Sequence, residues 1–366
     1  MSERKNLVYF LGAGCSYNFG YPLTSQIMPA ILERLGKGDL FCSGYRRLAD
    51  DDLLCQKLQQ YIELVYPGLK KAGASAVVPN VTEIFSFIDH LCFYETPHHP
   101  ALGENGLEEF KLMLNRSLGE LLKDYEYGGH ATAQQSELHK IFIQSIKQHI
   151  DAGDRVTVIT TNYDLTIDLF FRTEVENNLV DFGIPYRHVV TSQLIQQPIK
   201  PSLRYYKLHG SLNWLTCGLC GQYYINPIGS IVHQSYRKDV DGDNTCVCNN
   251  NMRLKAVLVP PSLVRDIRDS NLLQVWKGAL ESVRRADRLV MIGYSMPAED
   301  LAIKSIILRG LNGRNKAAPE LEVVQYGKEA MANYHNIFGD VFDQKKYYSD
   351  GLGPYLKTAY PNLFTA

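Results

Sequence analysis

The side chains that could do chemistry in this 366-residue chain fall into short signatures. "HGS" sets His209 before Gly210 and Ser211, and "TTNYD" carries Thr161, Asn162 and Asp164. A neutral imidazole near physiological pH takes a proton from a hydroxyl or a water. A carboxamide offers one acceptor and two donors, which suits Asn162 to orienting a water or a hydroxyl group. "GAGCS" joins Gly12, Ala13 and Gly14 to Ser16, and "GYS" joins Gly293 to Ser295. Glycines at a strand-to-helix turn let backbone N–H groups approach a phosphate, with the helix dipole behind them. Each signature also has a plain reading. His209 can be a satisfied structural histidine, and the glycines can mark tight turns with no ligand. Asn162 and Asp164 can be turn formers or a cap for the helix-like "LTIDLFF" that follows.

Of the eight cysteines, Cys217-x-x-Cys220 and Cys246-x-Cys248 cluster. In a reducing compartment such a cluster points to metal rather than to disulfides. Four thiolates suit a tetrahedral structural zinc, whose closed shell leaves no position for a reacting water. The polar and glycine-containing residues between the pairs could not build a core, so metal would supply the folding energy. His233 lies between the pairs and reads as a surface residue. Cys15, Cys42, Cys55 and Cys92 are scattered through apolar or helical surroundings, and Cys15 reads as a packing residue.

Four signatures follow directly on apolar, β-branched or aromatic runs at 7–11, 156–160, 205–208 and 289–292; further runs stand at 256–259 and 321–325. All six read as buried strands. Helical patterns such as "NLLQVWKGALESVRRA" and "EDLAIKSIILRGL" lie between them. Strands interleaved with helices predict an α/β fold, a Rossmann-like doubly wound parallel sheet. Ligands in such sheets bind beyond the carboxyl ends of the strands, so the four signatures should line one rim. Residues 25–153 read as helix after helix, a large insertion behind the first strand. The expected organisation is a discontinuous sheet domain (1–24 and 154–366), a helical insertion (25–153) and a small zinc-ribbon-like module (215–255).

Composition narrows the function further. The formal net charge is −1, which gives no signal for nucleic-acid or membrane binding. No apolar run reaches the roughly 18 residues of a membrane span. "MSERKN" lacks the apolar stretch of a signal peptide, so a cytoplasmic protein is expected. The dehydrogenase fingerprint G-x-G-x-x-G fails because Tyr17 stands at its third glycine, and no Gly-Lys-Ser/Thr completes a phosphate loop. The chain therefore binds a nucleotide in another way, or not at all.

In combination and in order, these motifs resemble the sirtuin family. "GAGCSYNFGYP" is similar to the sirtuin Gly-Ala-Gly-x-Ser with its following Gly-x-Pro, and "TTNYD" to the sirtuin Thr-Gln-Asn-x-Asp. "LHGS" resembles the segment with the catalytic histidine, the cysteine cluster follows it, and "VMIGYSMPAEDLAI" resembles the later Ile-Gly-x-Ser segment. Two sirtuin features are missing. "LTS" stands where deacetylating sirtuins carry Asp-Phe-Arg, and "AVLVPPS" where Phe-Gly-Glu helps form the acyl-lysine groove. What remains resembles bacterial sirtuin-like NAD hydrolases of anti-phage defence. The resemblance implies an NAD+ glycohydrolase that yields nicotinamide and ADP-ribose, with Asn162 and His209 catalytic. It implies that Asp164 receives the nicotinamide carboxamide, that Ser16 and the backbone at Gly12 and Gly14 hold the phosphates, that Ala13 and Thr161 also belong to the cofactor site, and that Gly293 and Ser295 line the adenosine side. It further implies structural zinc, control of the activity, and a helical insertion used for homo-oligomerisation or a regulatory partner. The alternatives are an NAD-dependent deacylase or ADP-ribosyltransferase, and a non-catalytic NAD or ADP-ribose sensor.

Overall fold

The computed structural model describes residues 4–41, 49–68, 78–93, 106–127, 129–168, 179–232, 235, 245–263, 269–297, 300–342 and 344–364. Cys42, His233 and, between the two cysteine pairs, residues 234 and 236–244 lie outside the described residues. In chain order the strands are β1 (Asn6–Leu11), β2 (Arg155–Thr160), β3 (Val180–Asp181), β4 (Tyr186–His188), β5 (Leu194–Ile195), β6 (Leu203–Lys207), β7 (Gly210–Cys217), β8 (Tyr223–Ile225), β9 (Thr245–Cys246), β10 (Asn249–Leu258), β11 (Arg288–Ile292), β12 (Glu320–Val324) and β13 (Lys345–Tyr348). The helices are α1 (Ala13–Tyr17), α2 (Thr24–Lys37), α3 (Ala49–Val65), α4 (Val81–Phe93), α5 (Gly106–Tyr127), α6 (Ala133–Asp151), α7 (Ser270–Arg285), α8 (Leu301–Asn312), α9 (Glu329–Phe338) and α10 (Leu352–Ala359).

β1 is apolar from Leu7 to Leu11 because both of its faces are covered there, as parallel sheets require. Leu7, Tyr9 and Leu11 share a core with Phe142 and Ile146 of α6 and with Tyr355 of α10. Val8 and Phe10 point the other way, into a core with Val275 and Val283 of α7 and Ile303 of α8. The sheet is wholly parallel, in the order β13-β12-β11-β1-β2-β6-β3. Helices on both faces make it doubly wound, the expected fold class.

The run at 256–259 departs from expectation. It closes β10, which pairs antiparallel with β7 in a second sheet ordered β5-β4-β8-β7-β10-β9. A short apolar run has no periodicity that tells a parallel strand from an antiparallel one. β3 and β13 were not expected as strands; "VD" is short and "KKYY" carries two charges, so neither shows the apolar signature.

The helices between β1 and β2 divide by what they bury. α2, α4 and α5 share one core, in which Met28, Ile31, Phe85, Phe110 and Leu118 meet Leu212 of β7. α6 packs on the sheet instead, through Ile141, Phe142, Ile143 and Ile146. Its start is fixed by a capping box between Thr132 and Gln135. No helix among the described residues is long and apolar enough to cross a membrane.

Candidate active site

The strand order reverses between β1 and β11, and the two strand exits touch there. The Gly12 N–H donates to the Ile292 carbonyl at 3.0 Å, and the Gly14 N–H donates to the Gly293 carbonyl at 2.8 Å. A Cβ on Gly12 would lie 2.7 Å from the Gly293 oxygen. Gly293 has φ +62°, and a Cβ there would lie 2.0 Å from the Cys15 nitrogen. The answer to why these positions are glycine is backbone-to-backbone contact. The Gly12 and Gly14 N–H groups are committed to the strand junction, which corrects their expected use as phosphate donors; Gly12 lies beneath the cavity that opens here, and Gly14 borders it.

That cavity has a volume of about 600 Å³, inside the range of about 300–1,000 Å³ common for small-molecule sites. Ala13, Gly14 and Ser16 reach it from the β1 exit, and Thr161, Asn162 and Asp164 from the β2 exit. His209 enters from the β6 exit, and Gly293 and Ser295 from the β11 exit. The expected rim therefore forms. Leu23, Ile27 and Leu122 of the helical region supply an apolar wall that no motif announced. Ser295 is exposed, and its carbonyl accepts from the Asn333 side chain at 3.0 Å.

Hydrogen bonds fix the orientation of the central carboxamide. Asn162 Nδ2 donates to the Gly12 carbonyl at 2.8 Å and to Ser16 Oγ at 2.7 Å. A carbonyl only accepts, so the Nδ2 end faces Gly12 and both of its hydrogens are in use. Oδ1 is left as the acceptor. Ser16 Oγ donates onward to Asp164 Oδ2 at 2.5 Å. Asp164 Oδ1 accepts from the Thr166 N–H at 3.1 Å and its hydroxyl at 2.5 Å. The buried Asp164 thus anchors the loop, and of its roughly four acceptor directions three are taken by these bonds.

His209 is buried, and its Nδ1 lies 2.9 Å from the Thr161 carbonyl. That partner makes Nδ1 the donor, so the neutral ring presents Nε2 as its basic atom. Gly210 follows with φ +77°, and a Cβ there would lie 1.9 Å from the Val257 carbonyl oxygen. Only glycine lets β7 begin directly behind the imidazole. Cys15 packs as expected: burial pushes its thiol well above the ordinary range, and Asp164 adds to the effect.

Lys207 carried no motif, yet it braces the site. It is fully buried, and its Nζ donates to the Asp164 carbonyl at 2.6 Å and to Asp168 Oδ2 at 2.9 Å. The Tyr205 hydroxyl donates to the same Oδ2 at 2.9 Å. The signal in the sequence is a lysine inside the apolar strand "LRYYK", because a buried cation must be paired. His139 supports the loop from α6, with Nε2 3.0 Å from the Thr166 carbonyl. Burial lowers its pKa, against the opposing pull of the Thr166 carbonyl and Asp164.

The four clustered cysteines meet as expected. Their sulfurs lie within 4.8 Å of one another, with Cys217 to Cys248 at 3.7 Å and Cys220 to Cys246 at 3.5 Å. Cys217 and Cys246 are buried while Cys220 and Cys248 are exposed. Four soft thiolates converging in this way fit zinc.

No protein-family model and no curated protein matches the chain. Solved structures of Sir2 enzymes are similar over nearly its whole length at low identity. One, from work on the mechanism and regulation of Sir2 enzymes, is 15% identical, with 99% of this chain and 93% of that one covered and a TM-score of 0.44. A Sir2 homologue in complex with ADP-ribose is 13% identical, with coverage of 99% and 93% and a TM-score of 0.42. A Sir2 complex with a p53 peptide and NAD+ is 14% identical, with coverage of 100% and 95% and a TM-score of 0.40.

Proposed function

We propose that this protein is a sirtuin-like NAD+ glycohydrolase. The observation that carries the reading is the convergence of Asn162 and His209 on one cavity at the switch point of a parallel sheet. The bond to be broken joins ribose C1′ to a cationic pyridinium nitrogen. Its electron pair leaves with nicotinamide, which departs neutral, so no general acid is required. The protein's task is to hold the ribose as positive charge develops and to deliver a water. His209 Nε2 takes the proton of that water while its oxygen bonds to C1′. Asn162 Oδ1 accepts from the water or a ribose hydroxyl and fixes the angle of attack. Asp164 offers its remaining acceptor direction to the nicotinamide carboxamide. Ser16, Ala13 and Thr161 border the phosphates and ribose, and Gly293 and Ser295 the adenosine side.

An unrestrained hydrolase of this kind would empty a cell of NAD. The reading therefore includes control, with the α2–α5 region as the surface for self-assembly or a partner and anti-phage defence as the setting. Pure protein incubated with NAD+ should release nicotinamide and ADP-ribose in equal amounts. Asn162→Ala and His209→Ala should each lose about 100-fold or more in turnover. Turnover that depends on an acylated peptide would make the protein a deacylase. Tight NAD binding without turnover, even with candidate activators present, would make it a sensor.

A further inference from the structure

A second cavity, of about 720 Å³, opens at the opposite, amino-terminal end of the parallel strands. It lies between the sheet and the last turns of α7, and the site described above does not use it. Arg4, Arg155, Lys200, Arg204 and Arg285 border it, arriving from four separate segments of the chain. The acids on its border are Asp154 and Glu281. Both are engaged already. Asp154 accepts from the Lys5 N–H and from His149 Nδ1, each at 3.1 Å. Glu281 accepts from Arg285 Nε at 2.6 Å and pairs with Arg284 Nη1 at 3.1 Å. Arg4, Arg155 and Lys200 form no side-chain hydrogen bond or ion pair among the described residues. The floor is polar as well, with Thr157 Oγ1 and Ser282 Oγ 3.5 Å apart.

We propose that this cavity binds a small phosphorylated anion carrying two or more phosphate groups, of the nucleoside polyphosphate type. A chain with net charge −1 has no general excess of cations, so their concentration in one concavity is local. Cations spread on a convex surface are held by water alone. Here they surround a volume the size of a small-molecule site, beside hydroxyl donors. Guanidinium forks match phosphate oxygens two at a time, and several of them in one cavity favour a polyanion over a single carboxylate. A concavity of this volume favours a small ligand over a nucleic-acid duplex, which would need an extended groove.

The test is calorimetric titration of the full chain with inorganic tripolyphosphate and with ATP, beside citrate and a short DNA duplex. Near-stoichiometric binding of tripolyphosphate and ATP is expected, stronger than that of citrate. It should weaken at least tenfold in Arg155→Glu/Lys200→Glu, which alters two exposed side chains and should leave the thermal melt unchanged. Asn162→Ala should bind as the unaltered protein does, so the result stands apart from the fate of the NAD reading. The proposal is overturned by no binding, by equal binding of citrate, by undiminished binding in the double variant, by loss in Asn162→Ala alone, or by tighter binding of the duplex.

Discussion

The His209 imidazole gives its Nδ1 proton to the Thr161 carbonyl at 2.9 Å, and Thr161 directly precedes Asn162. One hydrogen bond therefore sets the tautomer of the base and ties the β6 exit to the loop that carries the carboxamide. The Asn162 and His209 side chains, to which we assign the chemistry, are held to a common frame rather than each to its own strand.

Asn162→Asp tests that frame. The change turns a carboxylate oxygen toward the Gly12 carbonyl and brings a second negative charge beside the Ser16–Asp164 bond. NAD turnover should fall by about 100-fold or more. The melting temperature should fall too, because acceptor would face acceptor. Rates and melts of Asn162→Asp and Asn162→Ala, measured together, separate the two effects; equal activity of Asn162→Asp and the unaltered protein would remove the carboxamide from the mechanism.

Gly293→Ala should be poorly tolerated. The left-handed conformation alone costs a non-glycine residue about 1–2 kcal/mol, and the added carbon would sit 2.0 Å from the Cys15 nitrogen. Denaturant midpoints should drop by more than the conformational cost, and ligand binding in the cavity should weaken. An unchanged midpoint would mean that the two strand exits are not in contact.

Lys207→Ala strands Asp168 as an uncompensated buried carboxylate. Breaking a pair of this kind typically costs about 3–5 kcal/mol. Urea unfolding should show a loss of that size, larger than in Lys207→Ala/Asp168→Asn. Equal losses in the single and double variants would show that the pair is not coupled.

Metal analysis should find one zinc per chain. Cys217→Ser and Cys246→Ser should each lose it, with a lower melting temperature and faster proteolysis around β9 and β10. NAD turnover should fall with it, since β7 runs without a break from behind His209 to Cys217. Full stability of the metal-free protein would make the thiols ordinary surface and core groups.

His139 makes the fold sensitive to acid. Burial holds its pKa below the ordinary value of about 6.5. Between the two values the unfolded chain carries the proton and the folded chain does not, so stability falls as pH drops through about 6.5 toward the folded value. Urea midpoints should therefore decline more steeply from pH 7.5 to 5.5 in the unaltered protein than in His139→Phe. Parallel declines would exclude this histidine.

The sheet was legible because β1, β2, β6 and β11 are built mainly of apolar, β-branched or aromatic residues, and the rim because a small or polar signature follows each of them. The cysteine cluster could be read from its spacing. Other features had no local trace. Run 256–259 looks like any buried strand, and only its partner β7 decides which sheet it joins. α6 reads as one more amphipathic helix in a series, yet it covers the sheet. The apolar wall from Leu23, Ile27 and Leu122 exists only once the helical region has folded over the cavity. The roles of Gly12 and Gly14 were half visible: closeness was required, but to another backbone rather than to a phosphate. Lys207 alone left a mark, a charge where the pattern called for an apolar residue.

Both neighbours of β1 come late in the chain. Asn6 is bonded to Asp287, 281 residues away, and β1 pairs with β2 across a separation of 149 residues. At a synthesis rate of about 5–20 residues per second, β1 leaves the ribosome on the order of ten seconds before β2 exists. Through that interval the most apolar strand of the sheet has no ladder to join. The cleft between the β1 and β11 exits cannot be preassembled on the nascent chain: it forms only after synthesis has passed β11.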